Sequence, residues 1–229
     1  MNLLIVSATV KEIKPLLKML TLKNDLGGRL KTYYYNNKEI DVLITGVGMT
    51  ATAFWLGKML SDRYDVVLNL GVCGSFRREI GIGEVVNVVS DLFSDLGTEN
   101  GEEFLDVFEM DLIDENEFPF NNGKLTNDFK NDVSNSLKTV HGITVNTVHG
   151  NEKSIKKTID LLAKSECMPD VESMEGAAFF YACMSEGIPC LQIRAVSNYV
   201  ERRNKENWNI PLAIEALNEK VLEIINSKL

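Results

Sequence analysis

The chain has 229 residues, 45% of them apolar and 25% charged, which suits one large globular domain or two small ones and excludes a stapled mini-protein. Lys and Arg total 24 against 33 Asp and Glu, a net charge of −9, which argues against a nucleic-acid or anionic-membrane surface and favours a small polar ligand. No apolar run approaches the roughly 18 residues of a membrane span.

The opening MNLLIVSATVKE has neither the basic start nor the small-residue cleavage site of a secretory leader, so a cytoplasmic protein is expected. Residues 2–8 (NLLIVSA) read as a buried strand, followed by a helix to about Met19. Strands at 31–35 and 40–45 are joined at Asn36-Asn37, and a helical pattern covers 50–61. The β-branched runs at 65–70, 85–90, 143–148 and 191–196 read as further strands. Helical patterns fall near 126–138, 152–165, 175–186 and 208–227. This alternation over residues 1–229 predicts a single α/β domain with a central mixed sheet flanked by helices. The stretch 91–122 is acidic, Phe-rich and aperiodic, and is expected to be a long loop acting as a lid or a subunit contact.

Cys73, Cys167, Cys183 and Cys190 lack metal-site spacing, and only His141 and His149 supply imidazole, so buried free thiols are expected and no metal site. Thr9-x-x-Glu12 matches a capping box, yet a helix begun at Thr9 would carry Pro15 inside it, where a hydrogen bond is lost. A helix begun near Glu12 puts Pro15 in its first turn and leaves Glu12 at the carboxyl edge of the sheet, where open α/β folds bind ligands. Glu12 is thus either a capping acid or a functional carboxylate. Gly46-Val47-Gly48-Met49-Thr50-Ala51 imitates a dinucleotide fingerprint but comes after a strand, a helix and a hairpin instead of in the first βαβ unit. What survives is a helix N-terminus able to meet an anion or polar oxygen. Gly71 and Gly74 allow close backbone approach, or merely form a turn. Glu175 opens an apolar helix, where charge–dipole capping would suffice, and 194–198 ends a buried strand in polar residues.

Glu12 after the first strand, TGVGMTATA at 45–53, NLGVCGS at 69–75, VESMEGAA at 171–178 and IRAVSN at 193–198, in this order, resemble the nucleoside phosphorylase and nucleosidase family. The likeness is greatest to its methylthioadenosine/S-adenosylhomocysteine nucleosidase branch and spans most of the chain. It implies a three-layer phosphorylase/hydrolase-like fold, a nucleoside substrate, no cofactor, and a homodimer that completes the 5′ pocket across its interface. It also implies attack at the anomeric carbon through an oxocarbenium-like transition state. By resemblance Glu12 activates water, Met174 and Glu175 hold the ribose, and the backbone of Val72, Cys73 and Gly74 lines the pocket beside Ser197 and Asn198.

The departure is Asn198, where adenine-cleaving members carry Asp. An amide cannot protonate N7, but it can donate to O6 or N7 of a 6-oxopurine, whereas an ionised Asp only accepts. The substitution points to hypoxanthine, and SNYVERRNKENW at 197–208 together with Glu12 resembles the members that release that base by hydrolysis. Phosphorolysis of inosine or guanosine is an alternative, but it demands cations, and no arginine adjoins Glu12 or the GVCGS turn in sequence, although Arg77 and Arg78 follow. An adenine-type nucleosidase is another. A silent nucleoside-binding protein is a further alternative, against which Glu12 and Glu175 speak. Where the adenine-cleaving members place a stacking ring, this chain has VNTVHG at 145–150. His149 is either that ring's substitute or a surface histidine, and Phe104 and Phe108 are the other aromatic candidates. Arg202 or Arg203 is the candidate partner for an anionic 5′ group, or part of a solvated loop.

Overall fold

The computed structural model describes residues 2–25, 28–130, 134–164 and 168–226. In chain order its elements are β1 (Leu3–Ser7), α1 (Lys14–Met19), β2 (Thr21–Asn24), β3 (Leu30–Tyr35), β4 (Lys38–Ile44), α2 (Met49–Met59), β5 (Val66–Ser75) and β6 (Val85–Asp91). These are followed by β7 (Gly97–Asn100), β8 (Glu103–Asp106), β9 (Leu125–Thr126), β10 (Lys138–Thr144), α3 (Glu152–Lys164) and β11 (Val171–Ser173). The chain ends with α4 (Gly176–Ser185), β12 (Cys190–Tyr199) and α5 (Ile210–Asn226).

Every residue of β1 is buried, as a strand covered on both faces requires. Pro15 falls in the first turn of α1, where its missing N–H costs no helical bond. The sheet runs β11-β10-β6-β12-β5-β1-β4-β3-β2, and β11 pairs a second time with β5. That second pairing closes the ring β5-β12-β6-β10-β11, so half of the mixed sheet is barrel-like while the β1 to β2 half stays open. Leu56 of α2 and Phe179, Phe180 and Cys183 of α4 form one core with Val67, Val86 and Val140. Leu16 of α1 and Leu217, Val221 and Ile224 of α5 form the other with Ile5, Leu68 and Ile193. These two cores on opposite faces make the three layers. β5 is the hub, paired parallel with β1 and β12 and antiparallel with β11.

Three expectations are corrected. The pattern at 126–138 is not a helix: after β9 the described part is irregular except for one 3-10 turn at Ser134–Ser136, and 131–133 lie outside the described residues. Its apolar residues serve the core singly, as when Leu137 joins the α1–α5 side. The strand expected at 143–148 ends at Thr144, leaving 145–150 as a loop. The long loop 91–122 contains the β7–β8 hairpin and a knot of rings, with Phe108 edge-on to Phe120 at 5.2 Å. Cys73, Cys183 and Cys190 are buried free thiols as expected, and Cys167 lies outside the described residues.

Candidate active site

The carboxyl ends of β1, β5 and β12 and the starts of α2 and α4 converge at one place. Glu12 lies in the turn between β1 and α1. Its Oε2 accepts from Thr9 N–H at 3.0 Å and Thr9 Oγ1 at 2.9 Å, and its Oε1 accepts from Val72 N–H at 3.3 Å. The Thr9 contact is half a capping box, but α1 begins only at Lys14, so the box fixes the carboxylate and not the helix start. The turn itself is clamped from far away. Asn218 of α5, almost fully buried, donates to the Glu12 carbonyl at 2.8 Å and accepts from Leu16 N–H at 3.0 Å.

The Glu175 side chain does not cap its own helix. Its Oε1 instead accepts from Gly48 N–H at 2.9 Å, at the start of α2, where Gly48 has φ +95°. The anion expected at the Gly46–Ala51 turn is therefore a side chain of the protein, and a dinucleotide phosphate finds that N–H taken. Burial raises the Glu175 pKa above the usual carboxylate range; Arg194 and the Gly48 N–H oppose the rise, and the nearby charge of Glu12 adds to it.

Arg194, 1% exposed on β12, is the residue that sequence spacing concealed. A Cβ on Gly71 would collide with Arg194 Nη1 and stand 3.0 Å from Glu12 Oε1, so only glycine lets the guanidinium and the carboxylate share this spot. Arg194 also donates to Asn69 and Gln192, and its Nε has no partner among the described residues. The expectation that no arginine adjoins Glu12 holds along the sequence and fails in space, because β12 pairs with β5 in register Arg194↔Gly71. The charge of Arg194 acts on the carboxylates of Glu175 and Asp91, holding both down against the effect of burial. Arg77 is drawn to Glu79 and Asp170, and Arg78 to Glu201. An incoming phosphate would therefore compete with acids for Arg77 and Arg78.

At the far end of β5 the register with β12 slips between Val196 and Asn198, a bulge of the kind that re-aims side chains. Ser197 Oγ lies 3.2 Å from the Cys73 carbonyl and 2.8 Å from Asn198 Oδ1. Asn198 Nδ2 donates one hydrogen to the Tyr199 carbonyl at 3.0 Å, and its second is available to a ligand. Val72, Cys73 and Gly74 line this end as part of β5, not of a turn. The Cys73 thiol is buried, with its pKa pushed up to about 12 by desolvation, so only its backbone can serve a ligand. Met174 is half-buried between β11 and Glu175.

His149 is not a surface histidine: its Nδ1 lies 2.6 Å from Glu172 Oε2 and its Nε2 2.8 Å from Thr158 Oγ1 on α3. Phe76 meets its ring edge-on, with centroids 6.4 Å apart. Phe104 packs over Gly97 of the hairpin and Phe108 against Phe120, so contacts within the 91–122 segment hold both rings. Arg203 turns its guanidinium onto Trp208, while Arg202 and Lys156 line a cavity of about 600 Å³ between α3 and the segment after β12. Among the described residues no cluster of His, Cys, Asp and Glu could hold a metal, and no helix is long and apolar enough to cross a membrane.

Residues 2–226 match the model of the phosphorylase superfamily. The futalosine hydrolase of Streptomyces coelicolor is 29% identical over 187 residues, covering 79% of this chain and 76% of the relative. That of Thermus thermophilus is 28% identical over 187 residues, covering 80% of each. The solved futalosine hydrolase of Helicobacter pylori strain 26695 superposes with a TM-score of 0.79 at 18% identity, covering 98% of this chain and 97% of the other, a likeness of fold.

Proposed function

Because the chain belongs to the phosphorylase superfamily, we propose that it acts on a purine nucleoside there as an N-glycosyl hydrolase, cleaving futalosine with water to hypoxanthine and dehypoxanthine futalosine in menaquinone synthesis. The observation that carries the reading is the pair flanking the last residues of β5: a carboxylate, Glu12, over Gly71 and Val72, and an amide, Asn198, beside Gly74.

In this mechanism the bond from C1′ to N9 breaks as a water oxygen bonds to C1′, and Glu12 takes the water's proton. The Glu175 carboxylate accepts from the ribose hydroxyls, and both acids favour the positive charge that develops on the sugar. Asn198 donates its remaining N–H to N7 or O6 and stabilises the charge arriving on the departing base, which then takes its proton from solvent. Met174 packs on the sugar, and the Val72–Gly74 backbone with Ser197 bounds the pocket. A metal or organic cofactor has no part in these steps. The active form is a homodimer in the cytoplasm, and Arg202 meets the anionic 5′ extension.

The test is chromatographic detection of free base from futalosine, inosine and methylthioadenosine, each with and without phosphate. Hypoxanthine from futalosine, independent of phosphate, is the expected result. Phosphate-dependent cleavage of inosine, or release of adenine, overturns the reading.

A further inference from the structure

Glu172 lies in the VESMEGAA segment but has no part in the mechanism above. In β11 it is the register partner of Gly74, and Asn198 in β12 is the partner of Gly74 on the other side. Residues side by side in a sheet share a face. The space that a Cβ on Gly74 would fill is bounded by Asn198 Nδ2 at 3.3 Å, Glu172 Cγ at 3.4 Å and Val200 Cγ2 at 3.0 Å. A bare stretch of backbone thus lies between an amide and a carboxylate, two strand spacings or roughly 10 Å apart from Cα to Cα.

Glu172 is 3% exposed, and one residue holds it in two places. Its Oε1 accepts from the His149 N–H at 3.1 Å, and its Oε2 lies 2.6 Å from His149 Nδ1. Thr158 fixes the far side of the imidazole. A carboxylate accepts at about four sites, so acceptor capacity remains on both oxygens.

The geometry points to Glu172 as the residue that reads the N1–H of a 6-oxopurine. This inference rests on the hydrolase reading. A purine that offers its N7 edge to Asn198 carries its 6-substituent over Gly74 and its N1 toward Glu172. In hypoxanthine N1 is a donor and matches a carboxylate oxygen that accepts. In adenine N1 is an acceptor and is repelled, so Glu172 and Asn198 together select against the amino base. His149 is the positioning residue that keeps the carboxylate oriented.

Calorimetric titration with hypoxanthine, 1-methylhypoxanthine and adenine tests this without turnover. The wild-type protein is expected to bind hypoxanthine roughly 10- to 100-fold tighter than either of the others, the loss of one hydrogen bond to a charged group. In Glu172→Ala, which removes the acceptor and makes room for the methyl group, hypoxanthine and 1-methylhypoxanthine are expected to bind within about threefold of each other. Glu172→Gln, nearly isosteric, covers the case in which the alanine variant does not fold. Its amide can turn a donor to the base, and the hypoxanthine-to-adenine ratio should fall about tenfold or more. A merely structural role would weaken both bases alike. If the wild type prefers hypoxanthine and the variants keep that preference, the assignment to Glu172 is wrong and the hydrolase reading stands. A wild type that prefers adenine removes the base reading, and this inference with it.

Discussion

Glu175 reaches 127 residues back along the chain to accept the Gly48 N–H at 2.9 Å, so the acid that opens one helix satisfies the start of another. The proposed ribose site is thereby built into the α2–α4 contact, where Gly48 N–H orients its carboxylate. Replacing Glu175 with Gln keeps an acceptor for Gly48 and removes the charge. The variant should melt within a few degrees of wild type, with kcat/KM lower by roughly 10- to 100-fold. Loss of the fold together with activity would make Glu175 a structural acid.

Glu12→Gln preserves the size of the side chain but removes the carboxylate proposed to accept the water's proton. Turnover should fall by about 10²- to 10⁴-fold, with the circular dichroism spectrum unchanged. Near-normal turnover excludes Glu12 as the base.

Asn198→Asp restores an acceptor-only group beside Gly74. The ratio of hypoxanthine to adenine release, measured with inosine and adenosine, should fall at least about tenfold, because a mismatched exocyclic group leaves a buried partner unpaired. An unchanged ratio removes Asn198 from base selection.

Stability should carry a pH signature from Asp91. Burial raises its pKa from 3.8 to about 6, although Gln192, Thr144 and the Leu92 N–H each hydrogen-bond to the carboxylate and Arg194 also acts against the rise. The folded state therefore binds this proton more tightly than the unfolded chain. The contribution is fully present below the unfolded value and is lost as pH rises through about 6, on the order of 2–3 kcal/mol in all. Denaturant unfolding of wild type and Asp91→Asn across that window should give curves whose separation changes by that amount, closing toward low pH where both side chains are neutral. Parallel curves would show that Asp91 is ionised throughout.

Much of this was legible in the sequence, for reasons that can be named. β1, β5 and β12 are β-branched runs buried on both faces, and such runs announce themselves. Pro15 marked the true start of α1. What escaped depends on pairing between distant segments. Arg194 and Glu12 share the space at Gly71 only because β12 lies beside β5, and Glu172 lies beside Gly74 only because a three-residue strand, too short to show a period, closes the ring. The pattern at 126–138 misled because a few apolar residues at helical spacing also suit an irregular segment that drops single side chains into the core. His149 was undecided because nothing in VNTVHG signals that Glu172 and Thr158 hold both ring nitrogens.

Asn218→Ala removes the clamp on the turn that carries Glu12. It leaves the Leu16 N–H and the Glu12 carbonyl without this partner. The melting midpoint should fall by an amount equivalent to about 1–3 kcal/mol, with kcat lowered more than KM is changed. An unaltered kcat would mean that Glu12 keeps its place without help from α5.

That clamp also bears on how the protein is made. Glu12 leaves the ribosome 206 residues ahead of Asn218, which fixes its backbone from α5. At about 5–20 residues per second, the nascent chain spends on the order of ten seconds or more with its acid translated and its brace not yet made. A nascent chain that still lacks α5 has no brace for this turn, so a product truncated before α5 should be inert even where most of its sheet has formed.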